Sequence, residues 1–154
     1  MHIEIISFSR ERVLVEAENE YLQRLRREVP VQIVELGLKK AAAKRPAKQQ
    51  QAEQAKALFS HIKEGSKLVV LDEGGRLLDS QQFAELLKEQ MVRGVPEVYF
   101  AVGAPFGWPE EVKKRADISL SLSPMTFPAH VARLLVIEQL YRAICILKRH
   151  PYHK

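Results

Sequence analysis

Short apolar runs recur along the first two thirds of the chain. They cover residues 3–8, 31–36, 67–72 and 98–103. Runs of this length that are apolar at nearly every position are typical of strands buried on both faces of a parallel sheet. The sequence therefore predicts four strands in these places, in a mostly parallel sheet.

Between these runs, apolar residues recur at helical spacing. This spacing predicts three helices, over residues 11–28, 47–62 and 79–94. Asp79 or Ser80 is a suitable cap for the third. A shorter helix is predicted over residues 109–115, because proline is favoured in a first helical turn. Strands that alternate with helices in this way predict one α/β domain over residues 1–154, with helices on both faces of the sheet.

The last third of the chain has a different pattern. Residues 118–123 alternate strictly between apolar residues and serine, which predicts a fifth strand. Pro124 and Pro128 then bracket a short segment, and proline at both ends predicts an irregular, extended connection. Residues 129–148 predict a long helix that is apolar almost all round. Such a helix must be buried all round, so we expect its outer face to meet a second subunit in a homodimer.

Composition excludes several classes of protein and of binding site. A chain of 154 residues has the size of one domain. Its single cysteine, Cys145, cannot form an internal disulfide or a cysteine-rich zinc site, and this favours a reducing compartment, the cytoplasm. The five histidines are too scattered to predict a metal site. We find no signal-peptide pattern and no apolar run long enough to span a membrane.

The net charge of +5 is unevenly distributed. Residues 37–67 contain eight basic and two acidic side chains, and residues 118–154 contain five and one. Two basic blocks on a small domain indicate a polyanionic partner, most simply nucleic acid, although a solvated basic surface explains the charge equally well. The candidate RNA-binding residues are Lys39, Lys40, Lys44, Arg45, His150 and Lys154.

Two glycine-containing loops follow predicted strands. Residues 103–107 read Gly-Ala-Pro-Phe-Gly, and residues 72–75 read Asp-Glu-Gly-Gly. The carboxyl edge of a parallel sheet is where α/β proteins bind ligands, and glycine allows a ligand to approach the backbone. Neither loop has the G-x-G-x-x-G spacing of a dinucleotide site. Alone, each is also compatible with a tight turn.

Five segments together resemble the ribosomal RNA large-subunit methyltransferase H family of the SPOUT superfamily. They are residues 71–75 (LDEGG), 102–107 (VGAPFG), 120–130 (LSLSPMTFPAH), 138–143 (EQLYRA) and 150–154 (HPYHK). The resemblance covers the whole chain and is strongest from residue 98 onward. Ala104 stands where the family has a second glycine.

This resemblance implies a fold, a reaction and a cofactor site. The fold is an α/β domain whose C-terminal part is threaded into a trefoil knot, and the protein is a homodimer. The reaction is methylation of N3 of a pseudouridine in large-subunit ribosomal RNA, with S-adenosylmethionine as the methyl donor. The cofactor-binding positions that the family motifs imply are Leu71, Gly103, Leu122, Ser123, Pro124, Met125, Thr126 and Phe127.

Candidate catalytic residues follow from the chemistry of that acceptor. The imide N–H of a uracil-type ring is a weak acid, so a cation near its oxygens stabilises the anion that accepts the methyl group. Arg142 and His153 are candidates for this role, and Tyr152 for stacking on the base. Glu138 lies four residues before Arg142 on the same helix face. We hypothesise that it orients Arg142 in a site between subunits, although a purely structural ion pair has the same spacing.

Two other functions fit the same features. One is a non-catalytic RNA-binding module of ribosome assembly, and the other is a SPOUT methyltransferase that acts on transfer RNA. For the resemblance-based function, we expect the assembled ribosome to be the substrate. A domain this small has little surface for reading a folded RNA by itself.

Overall fold

The computed structural model of the protein describes residues 1–9, 11–37, 44–103 and 106–153, with His153 described by its backbone only. Four positions discussed above, Lys39, Lys40, Ala104 and Lys154, lie outside the described residues.

Five strands form one sheet in which every neighbouring pair is parallel. The strands are β1 (His2–Ser7), β2 (Val31–Glu35), β3 (Lys67–Leu77), β4 (Glu97–Val102) and β5 (Ile118–Ser121). Their order across the sheet is β2-β1-β4-β3-β5. The predicted α/β class is confirmed, and the sheet is wholly parallel.

Helices pack on both faces of the sheet, as predicted. They are α1 (Val15–Arg26), α2 (Ala47–His61), α3 (Ser80–Val92), α4 (Glu110–Arg115) and α5 (Ala129–Leu147). One apolar core lies between the sheet and α1, α3 and α5, and a second lies between the opposite face and α2 and α4. Asp79 caps α3 by accepting a hydrogen bond from the backbone N–H of Gln82. No helix in the described residues is both long and apolar enough to cross a bilayer.

Helix α1 begins four residues later than predicted. The carbonyl oxygens of Ser9 and Glu11 accept hydrogen bonds from the Arg133 guanidinium on α5. The backbone N–H of Glu11 also donates to the Ser9 hydroxyl. Ser9 and Glu11 therefore lie before the helix, at the carboxyl edge of the sheet, where both contact α5 or each other.

Strand β3 is longer than predicted, because it continues beyond Asp72. Its pairing with β5 jumps from Leu71 to Arg76, both of which lie opposite Leu120, so residues 72–75 bulge out of the strand. A Cβ added to Gly75 would lie 2.6 Å from the carbonyl oxygen of Ser119. Glycine is therefore required where the bulge returns to the sheet.

The chain turns back on itself after α5. Arg149 has a positive φ of 55°, and the backbone N–H of His150 donates to the carbonyl of Cys145 at 2.8 Å, which is the geometry of a Schellman turn. Residues Pro151–His153 then form a 3₁₀ turn, and the Tyr152 ring packs against Tyr141 of α5 at a centroid distance of 4.7 Å. The C-terminal segment is therefore ordered against α5, while the trefoil knot stays a prediction.

Candidate functional site

A cavity of about 700 Å³ opens at the carboxyl edge of the sheet. Its walls come from the segments that follow β1, β4 and β5, from Leu71 and the bulge of β3, and from the first turn of α5. Seven of the eight predicted cofactor-binding residues line it: Leu71, Gly103, Leu122, Ser123, Met125, Thr126 and Phe127. The eighth, Pro124, is exposed in the same loop and does not line the cavity.

The wall at β3 is fixed by a tryptophan. The indole Nε1 of Trp108 donates a hydrogen bond to the backbone carbonyl of Leu71 at 2.9 Å, and both residues are buried. Phe8 packs edge-to-face on Trp108 with 5.8 Å between ring centroids. Trp108 precedes α4, which begins at Glu110, and here it joins the ends of two neighbouring strands.

The wall at β4 passes close to α5. Gly103 has a positive φ of 51°, and a Cβ at this position would lie 3.0 Å from the Cβ of Ala129. A side chain would therefore strain the backbone and also press on the first turn of α5. The positive φ and the short distance to Ala129 therefore both require glycine at position 103.

The wall after β5 is the irregular segment predicted between two prolines. Ser123 organises it by accepting a hydrogen bond at its hydroxyl from the backbone N–H of Met125 at 3.0 Å. Its carbonyl accepts from the Ser121 hydroxyl at 2.9 Å. The Thr126 hydroxyl donates to the Glu73 carboxylate, which ties this segment to the β3 bulge. Two cavity walls that are distant in sequence are thus held together.

The cavity contains more acidic groups than the sequence reasoning identified. Glu11, Asp72 and Glu73 line it, and Lys113 pairs with Asp72 at 3.1 Å. His130, in the first turn of α5, also lines the cavity. The cap position of α5 is Pro128, and no side chain caps it. Such a lining favours a ligand that carries positive charge.

A second cluster lies toward the other end of α5. The predicted pairing of Glu138 with Arg142 is confirmed, because Arg142 Nε and Nη2 donate to Glu138 Oε1 at 3.0 and 2.6 Å. The Tyr152 hydroxyl donates to the same oxygen at 3.1 Å. The Arg142 guanidinium carbon lies 5.1 Å from the centroid of the Tyr152 ring, a cation–π distance. Glu138 thus fixes both partners.

These contacts set the protonation states of the cluster. Hydrogen bonding to Glu138 raises the pKa of Arg142 above its usual value. Burial, followed by hydrogen bonding to Tyr21 and the charge of Glu138, raises the pKa of Tyr152. At neutral pH the arginine is a cation and the tyrosine is a neutral donor. Neither side chain can serve as a general base there.

The cavity and the cluster are separate within one chain. None of Glu138, Arg142 and Tyr152 lines the cavity, and the last α5 residue that does so is Ala132. Arg142 lies ten residues further along the helix, which is a rise of about 15 Å. This distance exceeds the reach of an arginine side chain.

The predicted RNA-binding residues are only partly described. Lys44 and Arg45 are exposed, and Arg45 pairs with Glu53. His150 is exposed beside the cluster, and its ring Nδ1 accepts a hydrogen bond from the backbone N–H of Tyr152 at 3.3 Å. The side chain of His153 lies outside the described residues, as do the three lysines named above.

The described residues contain no group of three metal-binding side chains. His61 and His2 both face Glu4, at 2.6 and 3.8 Å. Gln32 also donates to this carboxylate at 2.7 Å. This cluster joins α2 to the sheet.

Comparisons with known proteins agree with the geometry. Residues 1–153 match the family model described as "Predicted SPOUT methyltransferase". The chain is similar to three proteins named Ribosomal RNA large subunit methyltransferase H. The protein from Syntrophotalea carbinolica is 39% identical over 91% of this chain and 89% of the relative. The one from Caldicellulosiruptor saccharolyticus is 37% identical over 94% of each, and the one from Alkaliphilus oremlandii is 35% identical over the full length of both. The chain belongs to the SPOUT methyltransferase family.

Proposed function

We propose that this protein transfers a methyl group to large-subunit ribosomal RNA. One observation carries the proposal. Leu71 of β3 and the segments that follow β4 and β5, all predicted to bind the methyl donor, converge on one cavity at the ligand-binding edge of a parallel sheet. The family of the chain and the names of its relatives support the same reaction.

The cavity suits S-adenosylmethionine as the donor. Its lining beside β3 and β5 combines apolar side chains such as Leu122 and Phe127 with the carboxylates of Asp72 and Glu73. Such a mixture fits a ligand with a cationic sulfonium and a flat base. When bound, the cofactor supplies an electrophilic methyl carbon. Gly103 leaves the backbone accessible, while Trp108 and Thr126 hold the walls in place.

We assign the acceptor chemistry to the cluster on α5. Methylation at N3 of a pseudouridine requires that nitrogen to lose its proton. Arg142, held as a cation by Glu138, stabilises the resulting negative charge on the base. Tyr152 already packs on Tyr141 and on Arg142. Tyr152 therefore holds the guanidinium of Arg142 in position, in addition to stacking on the base as expected.

A complete site on this account needs two copies of the chain. The cluster is too far from the cavity of its own chain, so Arg142 acts at the cavity of the partner. Leu134 and Leu135 of α5 are only half-buried within one protomer. This incomplete burial agrees with the sequence-based expectation that α5 lies at a homodimer interface.

The substrate form is the assembled ribosome. The described residues form one sheet with its helices, and a domain of this size offers little surface for reading a folded RNA besides the cofactor site. Surrounding ribosomal components must then contribute to placing the target nucleotide. The basic residues Lys44, Arg45 and His150 are exposed for contacts with phosphate.

Methyl transfer from labelled S-adenosylmethionine tests the proposal. The acceptors are ribosomes that lack this methyl group, protein-free ribosomal RNA and bulk transfer RNA. We expect label in a single large-subunit nucleotide, with intact ribosomes as the best acceptor. Calorimetry should show about one cofactor site per protomer. Label in transfer RNA alone, or no cofactor binding, would contradict the proposal.

A further inference from the structure

The most deeply buried charged side chain in the described residues is Arg133 on α5, which is 1% exposed. Its Nε donates to Glu18 of α1 at 2.6 Å, and Glu18 is 4% exposed. A buried ion pair contributes little net stability on average, because desolvation offsets the Coulomb attraction. The pair therefore calls for an explanation other than stability.

The remaining donors of Arg133 hold the segment after β1. Nη1 donates to the Ser7 hydroxyl at 3.2 Å and to the Ser9 carbonyl at 3.3 Å. Nη2 donates to the Glu11 carbonyl at 3.1 Å. All three guanidinium nitrogens are used, and two of the acceptors are backbone atoms of residues that line the cavity.

This segment forms a wall of the cavity that contains no predicted cofactor-binding residue. The predicted cofactor-binding residues lie in β3 or follow β4 and β5, whereas Phe8, Ser9 and Glu11 follow β1, on the other side of β4 in the sheet. Phe8 is half-buried and braced by Trp108. A braced aromatic ring beside backbone polar groups is suited to a flat nucleobase.

We propose that Arg133 is a positioning residue that, paired with Glu18, holds Phe8, Ser9 and Glu11 as the cavity wall that receives the acceptor nucleoside. The proposal rests on the methyltransferase function proposed above. On this proposal, the buried side chain of Arg133 on α5 connects α1 with the acceptor part of the cavity. Arg133 itself touches neither cofactor nor base.

The test separates this role from a structural one by using three variants. The double replacement Arg133→Met with Glu18→Leu removes both charges and leaves neither unpaired, which often preserves stability. Arg133→Lys keeps the charge but cannot reach all the acceptors. Lys63→Met is the control, because it breaks an ion pair with Glu97 that does not line the cavity.

Three quantities are measured for each variant: unfolding by urea, cofactor affinity, and KM and kcat for ribosomes. Cofactor affinity is followed by calorimetry and by the fluorescence of Trp108, which is the only tryptophan. For the double variant we expect KM for ribosomes to rise about tenfold or more, because three hydrogen bonds that position Ser7, Ser9 and Glu11 are lost. Cofactor affinity should stay within about twofold of wild type, because a change of that size is under 0.5 kcal/mol.

Arg133→Lys should lie between the double variant and wild type, and it decides the question if the double variant does not fold. An unchanged KM for ribosomes in a folded variant overturns the proposal. So does a loss of cofactor affinity as large as the rise in KM. Failure of the wild-type protein to methylate ribosomes would instead refute the proposed function, so the two failures are distinguishable.

Discussion

The cavity and the α5 cluster are built in opposite ways. The cavity is assembled from strand ends that are distant in sequence, and backbone atoms, a bulge and glycines shape its walls. The cluster is local, because Glu138, Arg142 and Tyr152 lie within fifteen residues and interact through side chains. The cavity is suited to binding a ligand by its shape. The cluster is suited to holding one positive charge, that of Arg142, in a fixed position. A reaction that needs both requires the two regions to meet, which one chain does not achieve.

The largest expected effect is on turnover without an effect on binding. Arg142→Ala should lower kcat by about 10²–10³, the usual loss when a group that stabilises developing negative charge is removed. Cofactor affinity should be unchanged, because Arg142 does not line the cavity of its own chain and, at the cavity of the partner, is assigned to the acceptor base and not to the cofactor. Lys88→Ala, which breaks an exposed ion pair with Glu85 on α3, is the control. Equal losses in turnover and in cofactor affinity would show that the regions are not separate.

A substitution in the cavity should affect cofactor binding and not the α5 cluster. Gly103→Val should weaken cofactor binding by about tenfold or more, because a side chain at positive φ costs about 1–3 kcal/mol and presses on Ala129. Gly94→Val is the matched control, since Gly94 also has positive φ but no atom lies near its Cβ position. Both variants should lose stability. Calorimetry should show the binding defect in the Gly103 variant alone.

A smaller effect is expected from one hydroxyl. Tyr152→Phe keeps the ring on Tyr141 and Arg142 but removes the hydrogen bond to Glu138. Turnover should fall by a few fold, since such a bond is worth about 0.5–1.5 kcal/mol. A wild-type rate would show that Tyr152 does not need its hydroxyl to hold Arg142.

The same variant tests the raised pKa of Tyr152. The stabilisation tied to that raised pKa is complete below the ordinary pKa of 10.0 and is lost as pH rises above it, because the unfolded chain ionises first. The free energy of unfolding, measured with urea, should therefore decline less steeply above that pH in Tyr152→Phe than in wild type. Parallel declines would contradict the assigned environment.

The sequence predicted what depends on local pattern. Helical spacing placed Glu138 and Arg142 on one face, and their contact is confirmed. Apolar runs located β1 to β4, because fully buried parallel strands are apolar at nearly every position, and alternation of apolar residues with serine located β5. The glycine pattern identified Gly103 as a point where a ligand approaches the backbone, and this stays a prediction; the structure shows that α5 also passes close to Gly103, at Ala129.

Contacts between distant segments escaped sequence reasoning. Arg133 and Glu18 are 115 residues apart, and nothing near either residue indicates its partner. The bulge in β3 depends on how β5 pairs with it, and a single strand does not encode that register. Glu11 was assigned to a helix, since its segment has helical spacing. Glu11 instead lies beside the cavity, where its carbonyl accepts a hydrogen bond from the Arg133 guanidinium and its N–H donates to the Ser9 hydroxyl.

Mixed dimers test the central claim, that the cavity of one protomer works with the cluster of its partner. Gly103→Val and Arg142→Ala chains carrying different tags are combined, and the heterodimer is purified. The assay uses a cofactor concentration far below the Kd of the Gly103→Val chain, so that each parent homodimer is nearly inactive. A shared site leaves one of two sites intact in each heterodimer, so the account predicts about half of the wild-type methylation rate. A heterodimer as inactive as its parents would contradict the account, because each site would then lie within a single chain.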